Sequence, residues 1–261
     1  MSQLLQFNIY YTTIASAWIT GVLLMVLFKS RKIIITGHIL LNLGFAILIL
    51  FITFLWIYLQ RAPIHSQGET RLWFSLLFTA IGYIIFILRK LKWFMVFNII
   101  IALTVLYINV FYPENFVKTQ LPAQDSPWFF PYQITCLLAY SFLIVSSQVG
   151  YKGLIEFIFK KLKPETLILA GNLVYFGFSF LTFGILLGGI WSKQTIGHYS
   201  SWTESETWTA ITWLVYLIYI HIRNYPVKQQ IVQICFLCLA FIVPVICWIG
   251  NLKYLISLFI N

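Results

Sequence analysis

Long apolar stretches alternate with short polar segments along the whole chain. Each stretch is about 20 residues long, which is the length an α-helix needs to cross the hydrocarbon core of a bilayer. Because lipid offers no hydrogen-bond partners, such segments must satisfy their own backbones as helices. The pattern predicts an all-α, polytopic membrane helix bundle of about eight transmembrane helices. The predicted spans are about 8–28, 35–59, 71–88, 93–112, 128–148, 167–190, 206–222 and 231–258.

The composition strengthens this prediction. The chain is 61% hydrophobic and only 9% charged, with a mean hydropathy of +0.88. These values exclude an ordinary soluble domain. No composition change marks a second domain or a long linker, so we expect residues 1–261 to form a single transmembrane domain in an integral membrane protein.

The net charge of +10 comes from basic residues grouped between the apolar stretches. The groups fall in alternate loops, as expected of loops held on the cytoplasmic side. This sidedness predicts that both termini are extracytoplasmic, and it explains the charge with no nucleic acid partner. In the loop 149–166, lysines would either face anionic headgroups of membrane lipid or be solvated. The grouped residues are Lys29, Arg31, Lys32, Arg89, Lys90, Lys92, Lys152, Lys160, Lys161, Lys163, Arg223 and Lys228.

Four cysteines lie inside apolar stretches: Cys136, Cys235, Cys238 and Cys247. The spacing of Cys235 and Cys238 places two thiols on one helix face, which fits either a redox or metal pair or simple packing in a membrane helix. We assign no disulfide.

The four histidines divide into two pairs. His38 and His221 fall near the inner ends of the second and seventh spans, whereas His65 and His198 fall in outer loops. An imidazole at membrane depth is costly without a partner or ligand, so His38 and His221 are candidate metal ligands. The alternatives are a hydrogen bond from His221 to a neighbouring carbonyl and a headgroup position for His38.

Aromatic residues crowd the segment 184–223. Trp191 and Trp208 fit the interfacial belt of membrane proteins. Trp202 lies in mid-loop, where a lone large ring gains little, and therefore indicates a platform for stacking a flat ligand. Thr203 and Glu206 also form the pattern of a helix-capping box, which would be a sufficient structural role for Glu206. His221 follows Glu206 by roughly 22 Å of helix, so one metal cannot be bound at both ends of this span.

Two segments carry a family resemblance: FLTFGILLGGIW at 180–191 and WTESETWTAITWLVYLIYIHIR at 202–223. They resemble the heme-handling cytochrome c assembly family of the CcsA (ResC) and CcmC type, whose members have a tryptophan-rich external loop, the WWD domain. Weaker similarity extends to 126–142 and 248–255. The resemblance implies a core at 126–261 with a WWD-like loop at 191–208, while 1–125 match only in hydrophobicity and topology.

In this family, heme enters near paired transmembrane histidines and reaches the external loop, where tryptophans cradle it and flanking histidines ligate the iron. The resemblance implies heme b as substrate or bound cofactor, and a ResB-like membrane subunit and apocytochrome c as partners. It implies the bacterial inner (cytoplasmic) membrane or an organellar equivalent. His221 takes the transmembrane histidine role, and the motif positions are Trp191, Gly197, Tyr199, Trp202, Glu206 and Trp208.

The chain departs from the family pattern at several motif positions. Ile196 and Ser200 stand where two further tryptophans are usual, and Thr203 replaces the aspartate. Tyr132 replaces one external histidine, and the sequence LISLFIN has no counterpart of the other. Tyrosine can ligate ferric heme, so Tyr132 is a candidate ligand, as are the outer-loop histidines His198 and His65.

Three functions remain open at this level. The first is a cytochrome c biogenesis protein that binds or transfers heme and presents it to apocytochrome c, as a component of a cytochrome c heme lyase (synthase) complex. The second is a degenerate paralogue acting as a non-catalytic membrane scaffold. The third is a small-molecule transporter, which the near absence of charge inside the spans disfavours.

Overall fold

The computed structural model describes residues 4–111, 116, 125–224 and 230–244. Within these ranges the chain forms eight helices and no strand, which confirms the predicted all-α class. The helices are α1 (Leu4–Leu27), α2 (Arg31–Leu59), α3 (Gln67–Arg89), α4 (Lys92–Phe111), α5 (Phe129–Ile158), α6 (Pro164–Ile196), α7 (Glu204–Asn224) and α8 (Gln230–Ala240).

Six of these helices, α1 to α6, are long and apolar enough to cross a membrane. Helix α7 has 21 residues but opens with the polar run ESET, which lowers its hydropathy. The polytopic membrane bundle is therefore confirmed, while the sidedness of the termini stays a prediction. The part of the eighth predicted span that follows Pro244, which includes Cys247, lies outside the described residues.

Two helices extend well beyond the membrane spans that the apolar stretches predict. Helix α5 continues to Ile158 rather than ending near 148, and α6 runs to Ile196 rather than 190. Neither stretch contains a proline, so the backbone remains helical past the apolar span. Helix α6 ends where Gly197 takes a φ of +88°, a left-handed conformation that glycine adopts without steric cost.

The chain folds as two compact units, one reaching Gln124 and the other beginning at Asp125. In the first unit, α1 packs on α2 and α4, and α3 packs on α4 and α2. The Trp18 side chain is fully buried, and its Nε1 donates to the Leu41 carbonyl at 3.3 Å. Gly44 makes room for this indole, because a Cβ there would overlap the ring.

A buried ion pair closes the α2–α3 connection of the first unit. The guanidinium of Arg61 donates to both carboxylate oxygens of Glu69, at 2.9 and 3.0 Å. The Glu69 side chain is 0% exposed and also accepts from the backbone amides of His65 and Ser66. Every oxygen of this buried carboxylate therefore has a donor.

In the second unit, α5 and α6 pair through glycines on α6. A Cβ at Gly177 would overlap Leu143, and one at Gly184 would meet Cys136. Small residues let helix backbones approach closely in membranes, where packing rather than water exclusion drives association. Helix α7 packs on α6, and α8 packs on α5 and α7. The described cysteines Cys136, Cys235 and Cys238 are not joined in disulfides.

We predict that Glu69→Ala lowers the free energy of unfolding by about 3–5 kcal/mol, because it leaves a largely buried guanidinium without its carboxylate. Denaturation of the detergent-solubilised protein, followed by tryptophan fluorescence, measures the loss. Glu165→Ala serves as the control, since Glu165 is exposed in the first turn of α6. Equal stability of the two variants would contradict the assigned role of the ion pair.

Candidate functional site

A seven-residue loop, 197–203, joins α6 to α7 and is fixed at its first half by a lysine. The Lys193 ammonium on the last turn of α6 donates to the Gly197 carbonyl at 2.8 Å. The same ammonium lies 5.3 Å from the centroid of the Tyr199 ring, a cation–π distance. Both contacts hold the loop against the end of α6.

The second half of the loop is organised by one carboxylate. Oε2 of Glu206 accepts hydrogen bonds from Ser200 Oγ at 3.1 Å, the Ser201 amide at 3.0 Å and the Thr203 amide at 3.2 Å. In return, Thr203 Oγ1 accepts from the Glu206 amide at 3.3 Å. The predicted capping box is confirmed, and the carboxylate also closes the loop over the helix N-terminus, where negative charge is favoured.

Trp202 adopts an unusual backbone conformation, with φ at +49°. A bulky residue in the left-handed region costs on the order of 1–3 kcal/mol, and the surrounding structure must hold it. Here the Trp202 amide donates to Ser200 Oγ at 3.1 Å, and its carbonyl accepts from Thr207 Oγ1 at 3.4 Å. Trp202 is 70% exposed and the nearby Tyr199 is 71% exposed, so the loop presents two aromatic side chains at the protein surface.

A cleft of about 170 Å³ opens between this loop and the adjoining ends of α5, α6 and α7. Most of its wall is apolar, with glycines on α6 and aromatic rings on α5 and the loop. The cleft is smaller than the roughly 300–1,000 Å³ of sites that enclose a drug-sized ligand. It is therefore suited to the edge of a larger flat molecule. The lining residues are Tyr132, Ile185, Gly188, Gly189, Tyr199, Ser200, Trp202, Glu206, Thr209 and Ala210.

A pair of stacked rings backs one wall of the cleft. Tyr132 on α5 and Trp191 on α6 lie with ring centroids 5.6 Å apart and planes 11° from parallel. Phe129 packs on the same indole at 5.4 Å. Gly188 makes room for the tyrosine, since a Cβ there would lie 2.9 Å from Tyr132 Cε2. Trp191 is thus in a helix rather than at the start of the predicted loop, and it supports the wall from behind.

The remaining residues of the predicted outer set lie elsewhere. Gly197 ends α6, His198 is exposed in the loop, and Trp208 is half-buried on α7. The structure therefore brings together Tyr132, Tyr199, Trp202 and Glu206 of that set, and none of the described histidines lines the cleft.

His221 lies at the opposite end of α7 and is exposed. Its Nδ1 is 2.8 Å from the Leu217 carbonyl one turn earlier, which is the carbonyl hydrogen bond considered as an alternative. A carbonyl only accepts, so Nδ1 carries the hydrogen, and in the neutral tautomer that this bond selects Nε2 has the lone pair. This arrangement is also the usual one for metal-ligating histidines, whose second nitrogen donates to a carbonyl or carboxylate.

The other two histidines with a predicted role both lie in the first unit. His38 on α2 is half-buried, and its Nδ1 lies 2.7 Å from the Tyr83 hydroxyl on α3. His65 Nδ1 lies 2.9 Å from both Arg61 Nη1 and the Ala62 carbonyl, within the buried ion-pair cluster. His65 is thereby committed to the α2–α3 connection.

Sequence reasoning missed several residues of the cleft. Gly188 and Gly189 form its α6 side, and Thr209 lies three residues after Glu206 on the same face of α7. Ser200 was noted only as a departure from the family, yet it bridges Glu206 and Trp202. The Gly-Gly pair three residues before Trp191 was the available signal, because adjacent glycines in an apolar helix indicate close approach.

Fold and site together define a polytopic α-helical membrane protein with an aromatic cleft at one end of its second unit. The family model described as Cytochrome C assembly protein matches residues 7–256. The chain belongs to the cytochrome c assembly protein family.

Individual relatives agree with this assignment. The cytochrome c biogenesis protein CcsA of Cuscuta reflexa is 27% identical, and the match covers 75% of each chain. CcsA of Chlamydomonas reinhardtii is 36% identical over 111 residues, which cover 40% of this chain and 31% of that protein. The solved cytochrome c heme lyase CcmF shares the fold, with a TM-score of 0.66 at 16% identity. That match covers 95% of this chain and 47% of CcmF, so this chain spans about half of that structure.

We predict that Glu206→Ala frees the loop, because three donors lose their common acceptor and Trp202 loses its support. Amide hydrogen exchange at 198–203 should accelerate by roughly 10-fold or more, given about 1.5–3 kcal/mol for each hydrogen bond to a charged group. Gln194→Ala, an exposed neighbour on α6, is the matched control. Unchanged exchange in Glu206→Ala would show that the carboxylate does not hold the loop.

Proposed function

We propose that the protein binds or transfers heme during cytochrome c biogenesis and presents it for attachment to apocytochrome c. The observation that supports the proposal most directly is the cleft at the α6–α7 loop. Two exposed aromatic rings, Tyr199 and Trp202, stand beside an apolar wall floored by glycine. Aromatic side chains on a loop whose backbone is held in place are suited to stacking on a flat macrocycle.

The residues present fit heme at the cleft in part. The apolar wall and the rings suit one edge of a porphyrin, and the volume of about 170 Å³ leaves the rest of the macrocycle outside. Tyr132 lines the cleft, and tyrosine is a known ligand of ferric heme. We propose that Tyr132 contributes to iron binding there, with His198 as the nearest imidazole along the loop.

The two histidines within the helical stretches are the second element of the proposal. His221 presents Nε2 with Nδ1 held by a carbonyl, and His38 has Nδ1 held by a tyrosine hydroxyl. Both arrangements leave one ring nitrogen for iron. We propose that His221 and His38, each within its own unit, would serve as ligands for the iron of heme b, with the protein orienting each imidazole.

Partners and membrane follow from the family. We propose a ResB-like membrane subunit and apocytochrome c as partners in a heme lyase (synthase) complex, and the bacterial inner membrane or an organellar equivalent as the location. Relatives named cytochrome c biogenesis protein CcsA support this proposal. The lysines at 160–163, exposed or half-exposed beyond α5, would face anionic lipid headgroups.

We predict that the protein purified from heme-replete cells shows a Soret band and that His221→Ala removes most of it, because the iron loses an axial ligand. Visible absorbance normalised to protein measures the loss. Leu214→Ala, which truncates an exposed side chain on the same helix, should keep the wild-type band. A preparation of wild-type protein that carries no Soret band would count against the heme proposal.

A second candidate function is a non-catalytic membrane scaffold within the same assembly system. It is favoured by one observation: none of the described histidines lines the cleft, and Tyr132 stands where the family resemblance expects a histidine. In that case the fold would be retained for docking while the external chemistry is supplied by another chain.

Complementation separates the two functions. In a strain lacking its own cytochrome c assembly protein, we expect this chain to restore covalent cytochrome c, and Trp202→Ala to reduce that yield at equal protein level. Heme staining of cytochrome c on denaturing gels measures the yield. Failure of the wild-type chain to restore covalent cytochrome c, at an equal protein level, would favour the scaffold.

A further inference from the structure

Three polar side chains form a hydrogen-bonded chain between α2 and α3. His38 Nδ1 lies 2.7 Å from the Tyr83 hydroxyl. Asn42 Nδ2 donates to that hydroxyl at 3.3 Å and to the carbonyl of His38 at 2.8 Å. Asn42 thus ties the tyrosine to the helix turn that carries the imidazole. Polar groups arranged this way at membrane depth carry a cost unless they have a use.

In this hydrogen-bonded chain, the bond between Tyr83 and His38 can run in either direction. The amide nitrogen of Asn42 only donates, so the Tyr83 oxygen accepts from it. A hydroxyl can also donate its own hydrogen to His38 Nδ1, or accept a hydrogen from it. Tyr83 therefore remains a partner in both neutral tautomers of the ring. The Leu217 carbonyl, which holds His221 in the other unit, can only accept.

Ring packing fixes the direction of the His38 imidazole. Its centroid lies 5.7 Å from that of Tyr83 and 6.0 Å from that of Phe86, both on α3. The Nδ1 edge therefore faces α3, and the Nε2 edge faces away from the hydroxyl. The residue is half-buried, which leaves part of it exposed at the surface of the first unit.

Resting on the proposed heme function, we propose that Tyr83 is the positioning residue for His38 as an iron ligand. When Nε2 binds iron, Nδ1 carries the hydrogen and the Tyr83 oxygen accepts it. When Nε2 carries the hydrogen instead, Tyr83 donates to Nδ1, so the ring keeps its partner and its orientation in both states. Asn42 holds the hydroxyl in place for either role. A metal-bound histidine generally depends on such an outer partner for orientation and basicity.

Hemin titration of the purified full-length protein in detergent tests the proposal. Tyr83→Phe removes only the hydroxyl, and we expect it to weaken hemin binding about 10–100-fold, the usual effect of losing an outer-shell partner. Tyr107→Phe is the matched control, since Tyr107 is a half-exposed tyrosine of the same unit whose ring packs on Tyr11 and Phe111. The control should bind as the wild type does. Asn42→Ala should weaken binding less than Tyr83→Phe does.

A positioning role is separated from simple helix packing by a double variant and by spectroscopy. Once His38 is replaced by alanine, Tyr83→Phe should have no further effect on hemin binding. Resonance Raman spectra should show the iron–histidine stretch at lower frequency in Tyr83→Phe, because the imidazole loses basicity. Equal weakening by Tyr83→Phe with and without His38 would overturn the proposal and assign Tyr83 to packing.

The remaining outcomes distinguish this proposal from the heme function itself. If the wild type binds hemin and His38→Ala weakens binding while Tyr83→Phe does not, the proposal for Tyr83 is overturned and the heme function stands. If the wild type, His38→Ala and His221→Ala all fail to bind hemin, the heme function fails and the role of Tyr83 fails with it.

Discussion

Inside a membrane, a polar group must find its partner within the protein, and this constraint shapes each part of the molecule. The backbones solve it as helices. Some buried side chains find partners across helix pairs, as Trp18 does at the Leu41 carbonyl and Tyr140 does at the Thr209 hydroxyl. The sole fully buried carboxylate among the described residues, Glu69, has Arg61 and two backbone amides. A polar side chain that bonds to the protein through one atom and has a second polar atom outside that bond is therefore a natural candidate for function.

The candidate site depends on the same need for hydrogen-bond partners, here at the start of α7. The first amides of a helix have no partners within it, and at the start of α7 the Thr203–Glu206 pair supplies partners for the amides of Thr203 and Glu206. One carboxylate thereby serves the cap, the loop and the unusual backbone of Trp202 together. The aromatic side chains of Tyr199 and Trp202 are exposed, but the loop backbone that carries them is held by hydrogen bonds, which reduces the conformational entropy lost when a flat ligand binds. Close packing at Gly188 seats Tyr132 in the facing wall.

Hydropathy alone predicted the helical class and the order of the elements, because a long apolar stretch in lipid satisfies its backbone hydrogen bonds by forming a helix. The capping box was also predictable, since Thr203 and Glu206 are local partners three residues apart. The ends of α5 and α6 were not, because helices continue past the apolar stretch until a residue such as Gly197 stops them. The cleft itself depends on contacts between α5, α6 and α7, including the Tyr132–Trp191 stack. Such contacts join residues far apart in sequence and leave no local pattern.

The hydroxyl of Ser200 limits which side chains this loop can hold at position 200. It donates to Glu206 and accepts from the Trp202 amide, so it belongs to the hydrogen-bond network that shapes the turn. A tryptophan there, as the family resemblance expects, has an N–H that donates but no atom that could accept from the Trp202 amide. A ring at position 200 therefore requires a different turn, with another partner for the amide of residue 202.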